Sequence, residues 1–245
     1  MVAPGPPPFL ERWTTWLNGD LWQDVHGLVQ RVTVFYGWDE VVGLAPDTSR
    51  APGDFHNWVN RNYLDALVVS VSRLTDNDHR TASMVRLLTE IADHSSEITR
   101  SWFVSRASDF DREAAAARFD RIADANGDRL DPSVPREDCR LLRDSSGTIK
   151  SYVDQHIAHL DFNRQVVSLT VGNVHSATSN IYAVFKRWFQ VITGNSLVHL
   201  TLAPWPHVLT LPWISPESAG AVADSARDRW IQLTDQAARD LDSRP

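Results

Sequence analysis

The segment Ser151-Tyr-Val-Asp-Gln-His-Ile-Ala-His-Leu-Asp161 places two histidines and two aspartates near the end of one helical stretch. Imidazole is the side chain that changes charge nearest neutral pH, so a histidine in a groove is a candidate general acid or base. His156 and His159 stand three residues apart, which brings both rings to one side of a helix. That spacing also suits a metal site, with Asp161, His175 or Asp65 as completing ligands. Metalloproteins built on bundles usually draw carboxylates from the facing helices, whereas the segments around 63 to 74 and 181 to 192 are nearly pure core. With a rotation of about 100° per residue, Ile149, Tyr152, Val153, Ile157 and Leu160 mark one apolar sector. His156 falls near its middle, as a satisfied core histidine or a contact between subunits. His159 lies at its edge beside Tyr152, where it can reach a groove, and Asp154 and Lys150 fall on the polar side.

The elements that must position these residues are helices. A helical pattern starts at Phe9, with Leu10, Trp13, Leu17, Leu21, Val25, Leu28 and Val32 mostly three or four apart. The breaker-rich stretch Leu44-Ala-Pro-Asp-Thr-Ser-Arg-Ala-Pro-Gly53 reads as a loop. Phe55, Trp58, Val59, Leu64, Leu67, Val68, Val71 and Leu74 define a long amphipathic helix that ends near Thr75-Asp-Asn-Asp78. Met84, Leu87, Leu88 and Ile91 mark another. An alanine-rich helix is expected over 108–124, capped by Ser108. The chain restarts around Val134 in a helix directed towards Asp161, with Ser145-Ser-Gly147 as a candidate break. Asn173 to Thr193 forms the next helix, which Gly194-Asn195 stops. Asp124-Ala-Asn-Gly-Asp128 imitates a calcium loop but has Arg129 where glycine is needed and Pro135 where glutamate is needed, so it reads as a turn. Prolines 204, 206 and 212 among tryptophans make 200–214 an extended connector, with Val198 to Leu202 the one stretch of strand-like pattern. Ser215-Pro216-Glu217 starts a last helix running to about Asp240. The fold class is all-α.

Two blocks carry a family resemblance. The first is Asp65-Ala-Leu-Val-Val-Ser-Val-Ser-Arg-Leu-Thr-Asp76 followed by Ser83-Met-Val-Arg-Leu-Leu88; the second is Tyr152-Val-Asp-Gln-His-Ile-Ala-His-Leu-Asp161. In this order they resemble the HEPN superfamily of helical-bundle proteins, in particular its AbiU-like abortive-infection branch, over roughly residues 20 to 192. The resemblance implies an up-and-down bundle that often dimerises and is associated with RNA cleavage or nucleotide binding. Active members carry Arg-x(4–6)-His. Histidine then acts on the ribose 2′-hydroxyl without metal, while arginine stabilises charge on the phosphate. His159 takes the histidine position, but Tyr152, Val153 and Asp154 occupy those allowed for arginine. Counted from His156 instead, Lys150 precedes with five residues between, supplying charge without a bidentate fork. Arg61, Arg73, Arg80 or Arg86 could bring the missing cation from the first block, although Arg73 and Asp76 also read as a plain helix-end pair. Asp161 and Arg164 either order the helix end or bind phosphate.

Composition narrows the function. The 245 residues carry a net charge of -7, and positive charge is nearly all arginine, Lys150 and Lys186 being the only lysines. Such a balance excludes a surface built for non-specific duplex binding. A single cysteine, Cys139, excludes an intramolecular disulfide. The N-terminus lacks the pattern of a signal peptide and no apolar run has membrane-spanning length, so a cytoplasmic location is expected. The expected organisation is a disordered N-terminus (1–8), a HEPN-like bundle (9–195), an irregular connector (196–215) and a C-terminal helix packed on the bundle (216–245). Three functions stay open. One is a defence or toxin-like protein acting on RNA as a metal-independent endoribonuclease, with catalytic candidates His159, Asp154, Arg73 and Lys150. Another is a non-catalytic module that binds nucleotide, RNA or a protein such as an antitoxin, with binding candidates His156, Asp161, Arg164, Asp76 and Arg86. The third is a metalloprotein using His156 and His159. The first two need no cofactor, and a homodimer through the helix bearing His159 is expected.

Overall fold

A computed structural model describes residues 8–44, 54–107, 111–158, 167–197 and 216–243. The loop expected at 45–53, the cap at Ser108, and His159, Asp161, Arg164 and residues 198–215 lie outside the described residues. The described chain is helical. Its helices are α1 (Pro8–Asn18), α2 (Asp20–Leu44), α3 (Asp54–Leu74), α4 (Met84–Asp93), α5 (Arg100–Ser105), α6 (Arg112–Asp120), α7 (Ser133–Tyr152), α8 (Val171–Thr193) and α9 (Pro216–Asp242). No helix among the described residues is long and apolar enough to cross a membrane.

α8 is the central helix. It packs against α1, α2, α3, α7 and α9, and it buries residues around most of its circumference, from Val174 and Ala177 to Phe185, Trp188 and Ile192. A helix that is apolar nearly all round must be enclosed, and α8 is. Thr170 and Asn173 close a reciprocal capping box at its start, and Gly194 ends it at φ 77°, a left-handed conformation natural to glycine. α9 lies along α2 and α8, with Trp230 fully buried and 5.4 Å from the Tyr182 ring. The pattern that starts at Phe9 is split at Gly19, where an added Cβ would lie 2.9 Å from the Thr15 carbonyl oxygen, so only glycine permits this close turn between α1 and α2.

Two expectations are corrected. The alanine-rich helix ends at Asp120 instead of Asp124, because Ile122 turns back to donate to Phe119 O (2.9 Å) and Ala123 bridges to Leu130. α7 runs unbroken through Ser145-Ser-Gly147. Ser146 is buried and returns its hydroxyl to Leu142 O at 2.7 Å, so it satisfies itself inside the helix without interrupting it. Asp124 to Asp128 is a turn, with Gly127 at φ 73° and its N–H donating to Asp124 O.

Candidate functional site at the end of α7

The two sequence blocks meet where the α3–α4 loop touches α7. α3 ends at Leu74, and Thr75 closes its last turn by donating both its N–H (3.1 Å) and its hydroxyl (2.9 Å) to Val71 O. The loop that follows is held from the other side by Ser83. Its hydroxyl donates to Asp76 O and accepts from Arg86 N–H at 3.1 Å, so one residue caps α4 and fixes Asp76. The Asp76 carboxylate then lies 3.8 Å from the Lys150 ammonium, and Arg143 donates to Asn77 Oδ1 at 3.1 Å. Arg80 folds onto Asp78 within the loop, and its hydrogen bonds hold that carboxyl well below the usual range.

Past Tyr152 the backbone widens into a π-helical turn over Val153–Ala158. Such turns cost regular geometry and recur at functional sites. The His156 ring stacks on Tyr152 with centroids 4.8 Å apart and 23° between planes. Its Nε2 is shut off from solvent and has no hydrogen-bond partner among the described residues. The expectation of a satisfied core histidine is therefore corrected. The π turn changes the rotation per residue, so a register counted at about 100° fails beyond Tyr152. Asp154 is exposed.

Arg73, Arg86 and Lys150, three of the cations considered for the missing arginine, are each tied to a carboxylate. Arg73 pairs with Asp24 on α2, which corrects the helix-end pair with Asp76; the chain leaves the helix at Thr75, and Asp76 turns to α7 instead. Arg86 donates to Glu90 Oε1 and to Thr81 O, both at 3.2 Å, and lies 4.8 Å over the Trp16 ring. Lys150 is the most loosely held of the three, since its pair with Asp76 is long and well exposed. Pairs of that kind contribute at most about 1 kcal/mol.

The family model for AbiU2 matches residues 13–180, from α1 into α8, and so spans both blocks, the α3–α4 loop and the π turn. The chain belongs to the AbiU2 family. It is thus an abortive-infection protein of HEPN type, and its α9 lies beyond the part that AbiU2 proteins are matched on. No curated protein and no solved structure matches the chain.

A second polar cluster in this AbiU2 protein escaped the sequence reading. His175, near the start of α8, contacts Tyr36 Oη through Nδ1 at 3.0 Å and Tyr63 Oη through Nε2 at 2.8 Å. Both ring nitrogens are thereby occupied, so His175 does not serve as the metal ligand considered above. Burial, helped by the nearby Arg229, pushes the imidazole pKa down to about 4, and burial also raises both tyrosine hydroxyls. Arg229 sits 4.3 Å over the Tyr36 ring and bonds Asp39 and Glu40. The three ring residues come from α2, α3 and α8. Each lies on an apolar helix face, and no spacing in the sequence links them.

Proposed function

We propose that this AbiU2-family protein binds RNA at the end of α7 and does not cut it. The observation that carries this reading is the half-buried ring stack of Tyr152 and His156 at a π-helical turn beside Lys150. Single-stranded RNA is recognised in large part by stacking of bases on aromatic rings, and the half-buried Tyr152 and His156 rings offer such a surface. Lys150 gives up its exposed contact with Asp76 to a phosphate at little cost. Cleavage is disfavoured because no cation occupies positions 152 to 154, and Arg73 and Arg86 are engaged elsewhere. The net charge of -7 disfavours a surface built for non-specific duplex binding.

Fluorescence anisotropy with a labelled single-stranded RNA, beside incubation of total RNA and transfer RNA in EDTA, tests the proposal. Wild-type protein should bind the RNA and leave it intact. His156→Ala should weaken binding about ten-fold, as loss of one stacking partner does. Undiminished binding by the variant contradicts the reading.

One observation favours a metal-independent endoribonuclease as the second reading. Lys150, in a weak ion pair with Asp76, precedes His156 with five residues between, so a cation is within the family's spacing. RNA cleavage in EDTA that disappears in His156→Ala would establish it. In both readings the protein forms a homodimer, and Trp58, Val69 and Ile157, the large apolar side chains left exposed among the described residues, are the surface offered to a second copy.

A further inference from the structure

The chain contains two Asn-Gly dipeptides, Asn18-Gly19 and Asn126-Gly127. Such a pair can react with itself. The backbone nitrogen of the glycine attacks the side-chain carbonyl carbon of the asparagine, and a glycine, lacking Cβ, puts nothing in the way of that approach. Both asparagines are exposed, and neither side-chain amide is hydrogen-bonded among the described residues. Exposure therefore does not separate them. The backbone does.

Asn18 ends α1, and Gly19 passes into α2 without a gap in the helical hydrogen bonding. Gly19 N–H donates to Thr15 O at 2.9 Å, and Gln23 N–H donates to Gly19 O at 3.0 Å. Both bonds reach back four residues, as in an α-helix. Leu17 and Leu21, on either side, are fully buried. Turning Asn18 towards its neighbour's nitrogen breaks these bonds and pulls two leucines out of the core. Asn126 has no such restraint. It is a central residue of the turn that Gly127 N–H closes onto Asp124 O at 2.9 Å, with Gly127 at φ 73° and open space where a side chain would stand. The other bonds across the turn are long, from Asp128 and Arg129 N–H to Asp124 Oδ1 at 3.3 and 3.5 Å. Ala125, Asn126 and Asp128 are all exposed. Local opening costs close to nothing at an exposed loop tip and approaches the global stability in a packed core.

We propose that Asn126 deamidates spontaneously in the folded protein, while Asn18, in the same dipeptide, is protected by its helix. The Gly127 nitrogen bonds to Asn126 Cγ, the Cγ–Nδ2 bond breaks, and ammonia leaves with the proton that the backbone nitrogen gives up. Water then opens the resulting succinimide ring at one of its two carbonyl carbons. Opening at Cγ leaves an aspartate. Opening at the backbone carbonyl carbon leaves an isoaspartyl link, in which the chain runs through the former side chain. Either product adds a carboxylate between those of Asp124 and Asp128. The reaction needs no ligand and does not rest on RNA binding.

Ageing of the full chain at about pH 8 and 37 °C, followed by tryptic digestion and mass spectrometry, tests the site, because residues 122–129 and 13–31 fall in separate peptides. In the folded protein, 122–129 should gain the carboxylate mass and split into aspartyl and isoaspartyl forms at least about ten-fold faster than 13–31. In denaturant, where the helix no longer protects Asn18, the two should convert at similar rates. Asn126→Gln should keep the helical content and abolish the split in 122–129. Equal rates at the two sites in the folded chain, or faster conversion at Asn18, overturns the proposal. So does an unchanged Asn126 over a time in which denatured protein converts, or a split that persists in Asn126→Gln.

Discussion

His175 makes the sharpest statement at the scale of a single residue. A neutral imidazole bridging two tyrosine hydroxyls needs one ring nitrogen to donate and the other to accept, and protonation destroys that pattern. The folded pKa of about 4 lies below the ordinary value of 6.5, so the unfolded chain binds more protons between these limits. Stability contributed by His175 is complete above pH 6.5 and is lost as pH falls towards 4. The loss is at most about 3 kcal/mol. Denaturant unfolding of wild type and His175→Gln from pH 7.5 to 4.5 should show a steeper acid decline for wild type; parallel curves would contradict this. Residue chemistry was only partly legible in the sequence. Its types flagged His156 and Lys150, but a register extrapolated from α-helical geometry missed the π turn that leaves the His156 ring nitrogen unsatisfied. Tyr36 and Tyr63 carried no signal, because a polar contact between distant helices leaves no periodicity.

Among the elements, α7, α8 and α9 are locked by one buried charge. Asp138 is 2% exposed and accepts from Arg187 and from Trp188 Nε1, the latter at 2.8 Å. Asp138→Ala strands a guanidinium and an indole N–H in the interior, and thermal or denaturant unfolding should report a loss of about 3–5 kcal/mol. A change under 1 kcal/mol would mean that water replaces the carboxylate. Trp230→Ala, which empties the contact of α9 with Tyr182, should cost about 3–5 kcal/mol; a smaller effect would mean that α9 is dispensable to the bundle. Helix positions were legible because the apolar spacing of α3, α4 and α8 is strong. The short α5 was not legible. Six residues, Arg100–Ser105, are too few to establish a period, and Thr99 capping Trp102 N–H at 3.2 Å is a local signal that many loops share.

For the whole molecule, the fold brings together two blocks whose acidic loop and basic helix end are far apart in the chain, Asp76 and Lys150. Sequence order alone does not show that adjacency. The proposed assembly has its own check. Light scattering should give a dimer for wild type and a monomer for the double variant Trp58→Arg, Ile157→Arg, whereas a dimer in both would move the interface elsewhere. The central claim is that RNA is held at the end of α7. Photocrosslinking of a 4-thiouridine-labelled single strand to the wild-type protein, followed by peptide mapping, tests it most directly. The account predicts crosslinks in the peptides that carry Tyr152 to His156 and the Asp76 to Ser83 loop. Crosslinks confined to other faces, or none under conditions where the RNA is bound, would contradict it.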